Sequence, residues 1–210
     1  MRRPTGGPMR LLPILAATLA LLLAACTSVT STVEGYSTIP EGIAPKTVHI
    51  APGEGMSGES LAWQSNAQAL AAQLARRGYT SVARGEARLL ARFSYSTAAP
   101  ETERYPVRVP VRGITGYETQ ETSPGVFRTV PIRGIIGYRT RYETRVVYPR
   151  QLRITMRDAR SGAPVFETSA LSRDTCDQTP RVIALMLGAA LKSFPKAQSG
   201  RVTLSEDQSC

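Results

Sequence analysis

A nine-residue motif occurs twice, and this duplication limits the fold more than any other stretch of the chain. Val109-Pro110-Val111-Arg112-Gly113-Ile114-Thr115-Gly116-Tyr117 returns 21 residues later as Val130-Pro131-Ile132-Arg133-Gly134-Ile135-Ile136-Gly137-Tyr138. Two copies are too few for a solenoid, which needs at least three units to bury a continuous core. Ser123-Pro124-Gly125 between them is a turn signal. The spacing predicts a long hairpin, or paired β-arms, over residues 104–148. The glycine pair in each copy suits a bulge or a bend, and the prolines argue against a central place in a sheet. Ten arginines fall between Arg104 and Arg153, together with five of the eight tyrosines. Tyr and Arg are common interface anchors. Arg112, Tyr117, Arg133 and Tyr138 are therefore the candidate partner-binding residues. The competing reading is a solvated hairpin whose basic residues only protect an exposed edge.

The N-terminus speaks to location. Met1-Arg2-Arg3 and Arg10 precede Leu11–Leu23, a 13-residue apolar run broken by Pro13 and Thr18 and followed by Ala24-Ala25-Cys26. A bilayer span needs about 20 residues, so the run reads as a signal-peptide core. With small residues just ahead of the cysteine, the stretch resembles the lipobox of bacterial lipoproteins. That resemblance implies removal of residues 1–25, lipidation at Cys26, and attachment to a membrane through acyl chains. One chain binds only marginally, at about 0.8 kcal/mol per buried methylene, whereas two or more hold firmly. Arg2-Arg3 runs into Pro-Thr-Gly, which argues against twin-arginine export. Thr27 stands where an Asp would favour inner-membrane retention in enteric-type sorting. The implied location is the periplasmic face of the outer membrane.

The chain has 210 residues and a formal charge of +10. One core is enough at this length. A basic balance often points to nucleic acid, but an exported, lipidated protein does not meet it. The partners left are the membrane through the N-terminal lipid, an envelope protein, or anionic lipid and lipopolysaccharide.

Residues 26–45 read as lipid anchor and tether or first strand, with Val29, Val33 and Tyr36 favouring a strand near 28–36. A single domain is expected over 46–200, carrying the arm at 104–148, with a polar tail at 201–210. Thr47–Ala51 is a short strand stopped by Pro52-Gly53. Ser60, Trp63, Ala67, Leu70, Ala71 and Leu74 recur at helical spacing, with Ser57 or Ser60 as cap and Gly78 as stop. Trp63 is expected as a core anchor. Ala87, Leu89, Ala91, Phe93 and Tyr95 alternate with polar residues as one face of a strand. A strand at Gln151–Asp158, a turn at Asp158–Gly162 and a return strand at 164–172 follow. Thr179 with Pro180 opens a second helix, whose stripe is Ile183, Leu187, Ala190, Leu191 and Phe194.

Taken in order, several features resemble a known group. They are the lipobox, an early strand, a helix ending Arg76-Arg77-Gly78-Tyr79, an alternating strand, the hairpin Asp158-Ala-Arg-Ser-Gly-Ala-Pro-Val-Phe-Glu-Thr168, and a last helix ending Lys192-Ser-Phe-Pro195. This looks like the proteobacterial lipoproteins that carry a domain of unknown function, DUF 4136, over roughly 28–200. The repeat looks like an elaboration of that pattern. The family supplies no catalytic residues to carry over.

The expected fold is α+β: a mostly antiparallel sheet with two helices packed on one face and a long β-hairpin insertion. No cofactor is expected. His49 is the only histidine, and a metal site needs several convergent ligands. No Gly-x-Ser-x-Gly elbow, phosphate loop or calcium loop is present. Glu54 with Glu59, and Asp174 with Asp177, are the only acid pairs worth weighing. The leading expectation is a non-enzymatic binding or assembly module. The alternatives are a carboxylate enzyme acting on envelope glycan or lipid, and a structural envelope-stress lipoprotein. Three cysteines with one taken by lipid leave Cys176 and Cys210 for a disulfide in an oxidising compartment.

The lipobox reading has a direct check. Cys26→Ser is expected to leave uncleaved precursor and to abolish acyl labelling, and normal processing of that variant would refute it.

Overall fold

The computed structural model describes residues 27–206. Residues 1–25, Cys26 and Cys210, and with them the expected signal and lipidation site, lie outside the described residues. Two compact units are present: a body formed by residues 27–99 and 148–206, and a hairpin formed by residues 100–147.

In chain order the body contains β1 (Thr27–Ser37), β2 (Thr47–Pro52), α1 (Leu61–Ala75), β3 (Thr80–Ser81) and β4 (Leu89–Thr97). β5 (Glu101–Ser123) and β6 (Val126–Asp158) follow, then β7 (Pro164–Asp174), α2 (Thr179–Ala190) and β8 (Gly200–Glu206). The strands order as β3-β2-β4-β6-β7-β1-β8, with β5 paired to β6. The sheet is mixed but mostly antiparallel, as the sequence suggested: five of its seven strand pairings are antiparallel. β2 runs parallel to both β3 and β4. The cause is α1, which carries the chain back along the sheet before β3 begins, and such a crossover makes the flanking strands parallel.

One face of the body's sheet is apolar because inward residues alternate along its longer strands. Leu89, Ala91 and Phe93 of β4, Leu152, Ile154 and Met156 of β6, and Val29 and Val33 of β1 are buried in a single cluster. Trp63, Leu70 and Leu74 of α1 and Ile183, Met186 and Leu187 of α2 complete it. The alternate residues Glu34, Arg92, Arg153 and Glu167 are exposed. Trp63 is the core anchor expected of it, and its Nε1 donates to the Phe93 carbonyl at 3.1 Å. Ser60 caps α1 by accepting from the Trp63 N–H. Asn66 occupies the buried stripe without being apolar and turns its amide onto the Ala62 carbonyl at 3.0 Å. Gly78, at φ +82°, makes the left-handed stop. Arg77 donates to Gln73 O and Leu191 O, both at 2.6 Å, and so ties the last turn of α1 to the end of α2. Burial, helped by the neighbouring Arg76, lowers its pKa from the ordinary value.

Three local expectations need correction. Gln151–Asp158 is not a separate strand; β6 runs unbroken from Val126 to Asp158. Thr179 does not cap α2: the cap position is Gln178, and the Thr179 hydroxyl accepts instead from Arg150. The polar tail is a strand in its first part, because β8 pairs with β1 from Gly200 to Glu206. Val202, 6% exposed, alternates there with polar Arg201 and Thr203 and reaches the core.

The β6–β7 turn forms as the sequence suggests. The Asp158 carboxylate accepts from Arg160 N at 2.8 Å and Ser161 N at 3.1 Å, and meets Arg88 at 2.6 Å. These donors, the Ser161 N–H foremost, hold its pKa below the usual carboxylate range against the opposing effect of burial.

Arg150 is 2% exposed and stands at the end of the inward row of β6. Its guanidinium donates to Cys176 O at 2.7 Å, to Asp174 Oδ1 at 3.4 Å and to Thr179 Oγ1 at 3.3 Å. Arg150→Met would leave these acceptors without their donor. Removing one partner of a buried ion pair typically costs about 3–5 kcal/mol. A loss of that order is expected in denaturant titration, and a loss below about 1 kcal/mol would show that the contact holds nothing in place.

Candidate docking face of the hairpin

Within the hairpin, β5 and β6 pair from Glu101↔Val147 to Ser123↔Val126. The two motif copies lie opposite each other, with Gly113 paired to Gly134 at the centre. Arg112 faces Ile135 and Ile114 faces Arg133; Pro110 faces Tyr138 and Tyr117 faces Pro131. A local twofold therefore relates the copies. The register shifts at Ile136 on one strand and at Thr115 on the other, which are the same position of the motif. These are β-bulges, one extra residue in each strand. The glycines make room for them. A Cβ at Gly113 would come within 2.5 Å of Ile136 Cδ1, and one at Gly134 within 2.8 Å of Thr115 Cγ2.

Side chains alternate between the faces of a ribbon, and paired residues share a face. The register therefore sorts the charges. One face carries four arginines (Arg128, Arg139, Arg141, Arg145) and four glutamates (Glu101, Glu103, Glu118, Glu143). Arg145 meets Glu103 at 2.8 Å there, and Arg141 pairs with Glu143. The Arg141 guanidinium, followed by the Tyr105 hydroxyl, holds Glu143 below the usual carboxylate range.

The other face carries Arg104, Arg108, Arg112 and Arg133 against a single acid, Glu121. Glu121 accepts from the Gly125 N–H of the turn at 2.8 Å. Arg104 stacks over Tyr142 at 4.6 Å and Arg108 over Tyr138 at 4.7 Å. Ile114, Tyr117, Ile135, Tyr138 and Phe127 are exposed on this face, Tyr117 by 66% and Phe127 by 65%. Ile132 and Ile136 are exposed on the opposite one. A shallow groove of about 630 Å³ lies between Arg112, Ile114, Arg133 and Ile135, with the paired glycines included in its lining.

The four residues singled out from sequence, Arg112, Tyr117, Arg133 and Tyr138, thus share one face. Arg104 and Arg108 were missed as individual members of it. Their signal was present: arginine recurs at 104, 108 and 112 with Pro106 and Pro110 between, an even spacing that places all five on one side of a strand.

The other sequence candidates sit in the body. His49 Nδ1 lies 3.2 Å from the Val82 carbonyl. Glu54 lines a groove with Arg92 and Arg153 that Glu59 does not share. Asp174 accepts from Ser172 Oγ at 2.8 Å and Cys176 N at 3.0 Å as well as from Arg150, while Asp177 is exposed. Cys176 is 4% exposed, and Cys210 lies outside the described residues. Among the described residues, no three His, Cys, Asp or Glu side chains gather as metal ligands.

The molecule is an α+β sheet protein bearing a charge-sorted hairpin. The chain belongs to the family described as "Domain of unknown function (DUF4136)", which matches residues 36–196. No curated protein matches it. Among solved structures it is similar to a PDZ domain protein from Parabacteroides distasonis, at 12% identity and a TM-score of 0.47. That alignment covers 92% of this chain and 42% of the other, so the chain spans less than half of that protein. It is also similar to PelC from Paraburkholderia phytofirmans, solved as a dodecamer, at 12% identity and a TM-score of 0.43, covering 80% of this chain and 99% of that one. Likenesses this distant bear on neither function nor partners.

Proposed function

We propose that this protein is a lipid-anchored cell-envelope module. It acts without catalysis, and it docks a partner through the basic, tyrosine-bearing face of its hairpin. The observation that carries the reading is the sorting of charge. The face with four arginines against one acid also carries the exposed aromatic residues Tyr117, Tyr138 and Phe127. Such residues anchor interfaces because they present large contact area with few rotamers to fix. The lipobox-like stretch ending at Cys26 would supply the attachment, and Thr27 after it favours the periplasmic face of the outer membrane. In that oxidising compartment Cys176 would pair with Cys210, stabilising the body by about 3–4 kcal/mol in the chain-entropy account.

Two measurements test this. A photo-crosslinking residue at Tyr117 or Tyr138 in intact cells is expected to give a discrete adduct. Replacing Arg112, Tyr117, Arg133 and Tyr138 together by Ala is expected to weaken docking, while stability stays within about 0.5 kcal/mol per site as for other surface changes. A large loss of stability would assign these residues a structural role instead. For the disulfide, mass spectrometry of unreduced peptides should find Cys176 joined to Cys210, and two alkylatable thiols in freshly isolated protein would exclude it.

A further inference from the structure

The charged face of the hairpin also indicates what kind of surface it meets. We infer that the face carrying Arg104, Arg108, Arg112 and Arg133 lies against a phospholipid bilayer of net negative charge, with headgroup phosphates taken between Arg112 and Arg133. The inference rests on the docking reading above and names its partner. Three observations carry it.

The first is charge complementarity confined to one side. The opposite face is balanced, four arginines against four glutamates, with two of the pairs in contact. The candidate face has four arginines against one acid, and that acid is engaged at the turn. A bilayer attracts basic residues near its surface by roughly fivefold in affinity for each.

The second is the groove. The local twofold brings the same three residues of each motif copy together, so two guanidiniums flank a recess with two glycines in its lining. Arginine forks match phosphate oxygens in geometry and charge.

The third is the form of the apolar groups. Ile114, Ile135, Tyr117 and Tyr138 stand out singly, 49%, 51%, 66% and 56% exposed. An acidic protein would need matching pockets for each of these protruding side chains. A fluid bilayer accepts them without any, and tyrosine favours the headgroup level.

The test uses the full chain with Cys26→Ser, so that no acyl group anchors it. Binding is measured by co-sedimentation with phosphatidylcholine vesicles, with and without phosphatidylglycerol. Two variants carry equal charge changes. In one, Arg104, Arg108, Arg112 and Arg133 all become Gln. In the other, Arg128, Arg139, Arg141 and Arg145 do. Whatever the basic N-terminus contributes is common to all three proteins. The first variant is expected to lose at least tenfold of the phosphatidylglycerol-dependent binding, and the second no more than about threefold. Added salt is expected to weaken the wild-type preference, since screening shortens the reach of surface charge. Circular dichroism melting confirms that both variants keep the fold. If one does not, the charge-retaining pair Arg112→Lys with Arg133→Lys replaces it, and is expected to bind more weakly than wild type at the groove. Equal losses in the two glutamine variants, or no preference for phosphatidylglycerol, would overturn the inference. The crosslinker at Tyr117 then separates the two levels. A lipid adduct supports the bilayer. A protein adduct with face-independent vesicle binding ends the lipid inference and leaves docking standing. No adduct and no vesicle preference ends both.

Discussion

A single buried guanidinium sets the geometry of the C-terminal half of the body. Arg150 belongs to the inward row that continues as Leu152, Ile154 and Met156, where an apolar side chain would be expected. Taking a charge out of water costs several kcal/mol unless partners replace the lost solvent. The partners here are an acid at the end of β7, a carbonyl in the loop after it, and a hydroxyl at the start of α2. Asp174, Cys176 and Thr179 are therefore held around one point. The loop between strand and helix is fixed by this arrangement, and so is the entry of α2 onto the sheet. Ile183, Met186 and Leu187 reach the core from there. Asp174 accepts from the Ser172 hydroxyl and the Cys176 N–H as well. An acid that looked like one member of a catalytic pair is thus occupied in building the loop.

The same period of two has different consequences in the two units. In the body it separates apolar from polar, because one face of the sheet is covered by the two helices. In the hairpin, alternation sorts charge rather than hydrophobicity. Glu103, Tyr105 and Glu143 share a face with Arg141 and Arg145, and that face is balanced, four arginines against four glutamates, with two of the pairs in contact. Arg104, Arg108 and Arg112 repeat along the other face and repel one another. Stacking on Tyr142 and Tyr138 offsets part of this, at about 0.5–1 kcal/mol for each exposed pair. What remains is a positive field with little opposing charge of its own.

Much of this is legible in the sequence, and what is not has physical causes. Local signals held: Ser60 caps α1, Gly78 ends it, and the Asp158–Gly162 turn closes as its residues suggest. The hairpin followed from the duplication and the Ser123-Pro124-Gly125 turn. The four residues chosen for docking fell on one face because their spacing within each motif copy is combined with one bulge within that copy. What escaped was non-local. The parallel pairing of β2 depends on where α1 returns the chain, which no window of sequence records. β8 has only Val202 and Leu204 to mark it, and its strand character comes from the free edge of β1. Thr179 has the residue type of a cap, but a guanidinium 29 positions earlier claims its hydroxyl. Asn66 interrupts an apolar stripe, and only its bond to Ala62 explains why that is tolerated.

The duplication itself answers a problem that a two-stranded ribbon faces. Register is weakly specified where neither face is buried, and a slip of one residue turns every side chain to the opposite side. In this hairpin such a slip would put Arg104, Arg108 and Arg112 on the same side as Arg139, Arg141 and Arg145 and would break the Arg145–Glu103 pair. The bulges oppose it. Ile136 fits only over a residue without a side chain, and Gly113 is that residue; Thr115 and Gly134 make the reciprocal pair. Displacing the strands by one position would bring Ile136 over Arg112 or Ile114, and Thr115 over Arg133 or Ile135. Two interlocked contacts of the same design, placed symmetrically about the centre, pin the alignment from both strands at once. Two copies of the motif are therefore enough, since each supplies the glycine that the other's bulge requires. The division of the ribbon into a balanced face and a basic one follows from that lock.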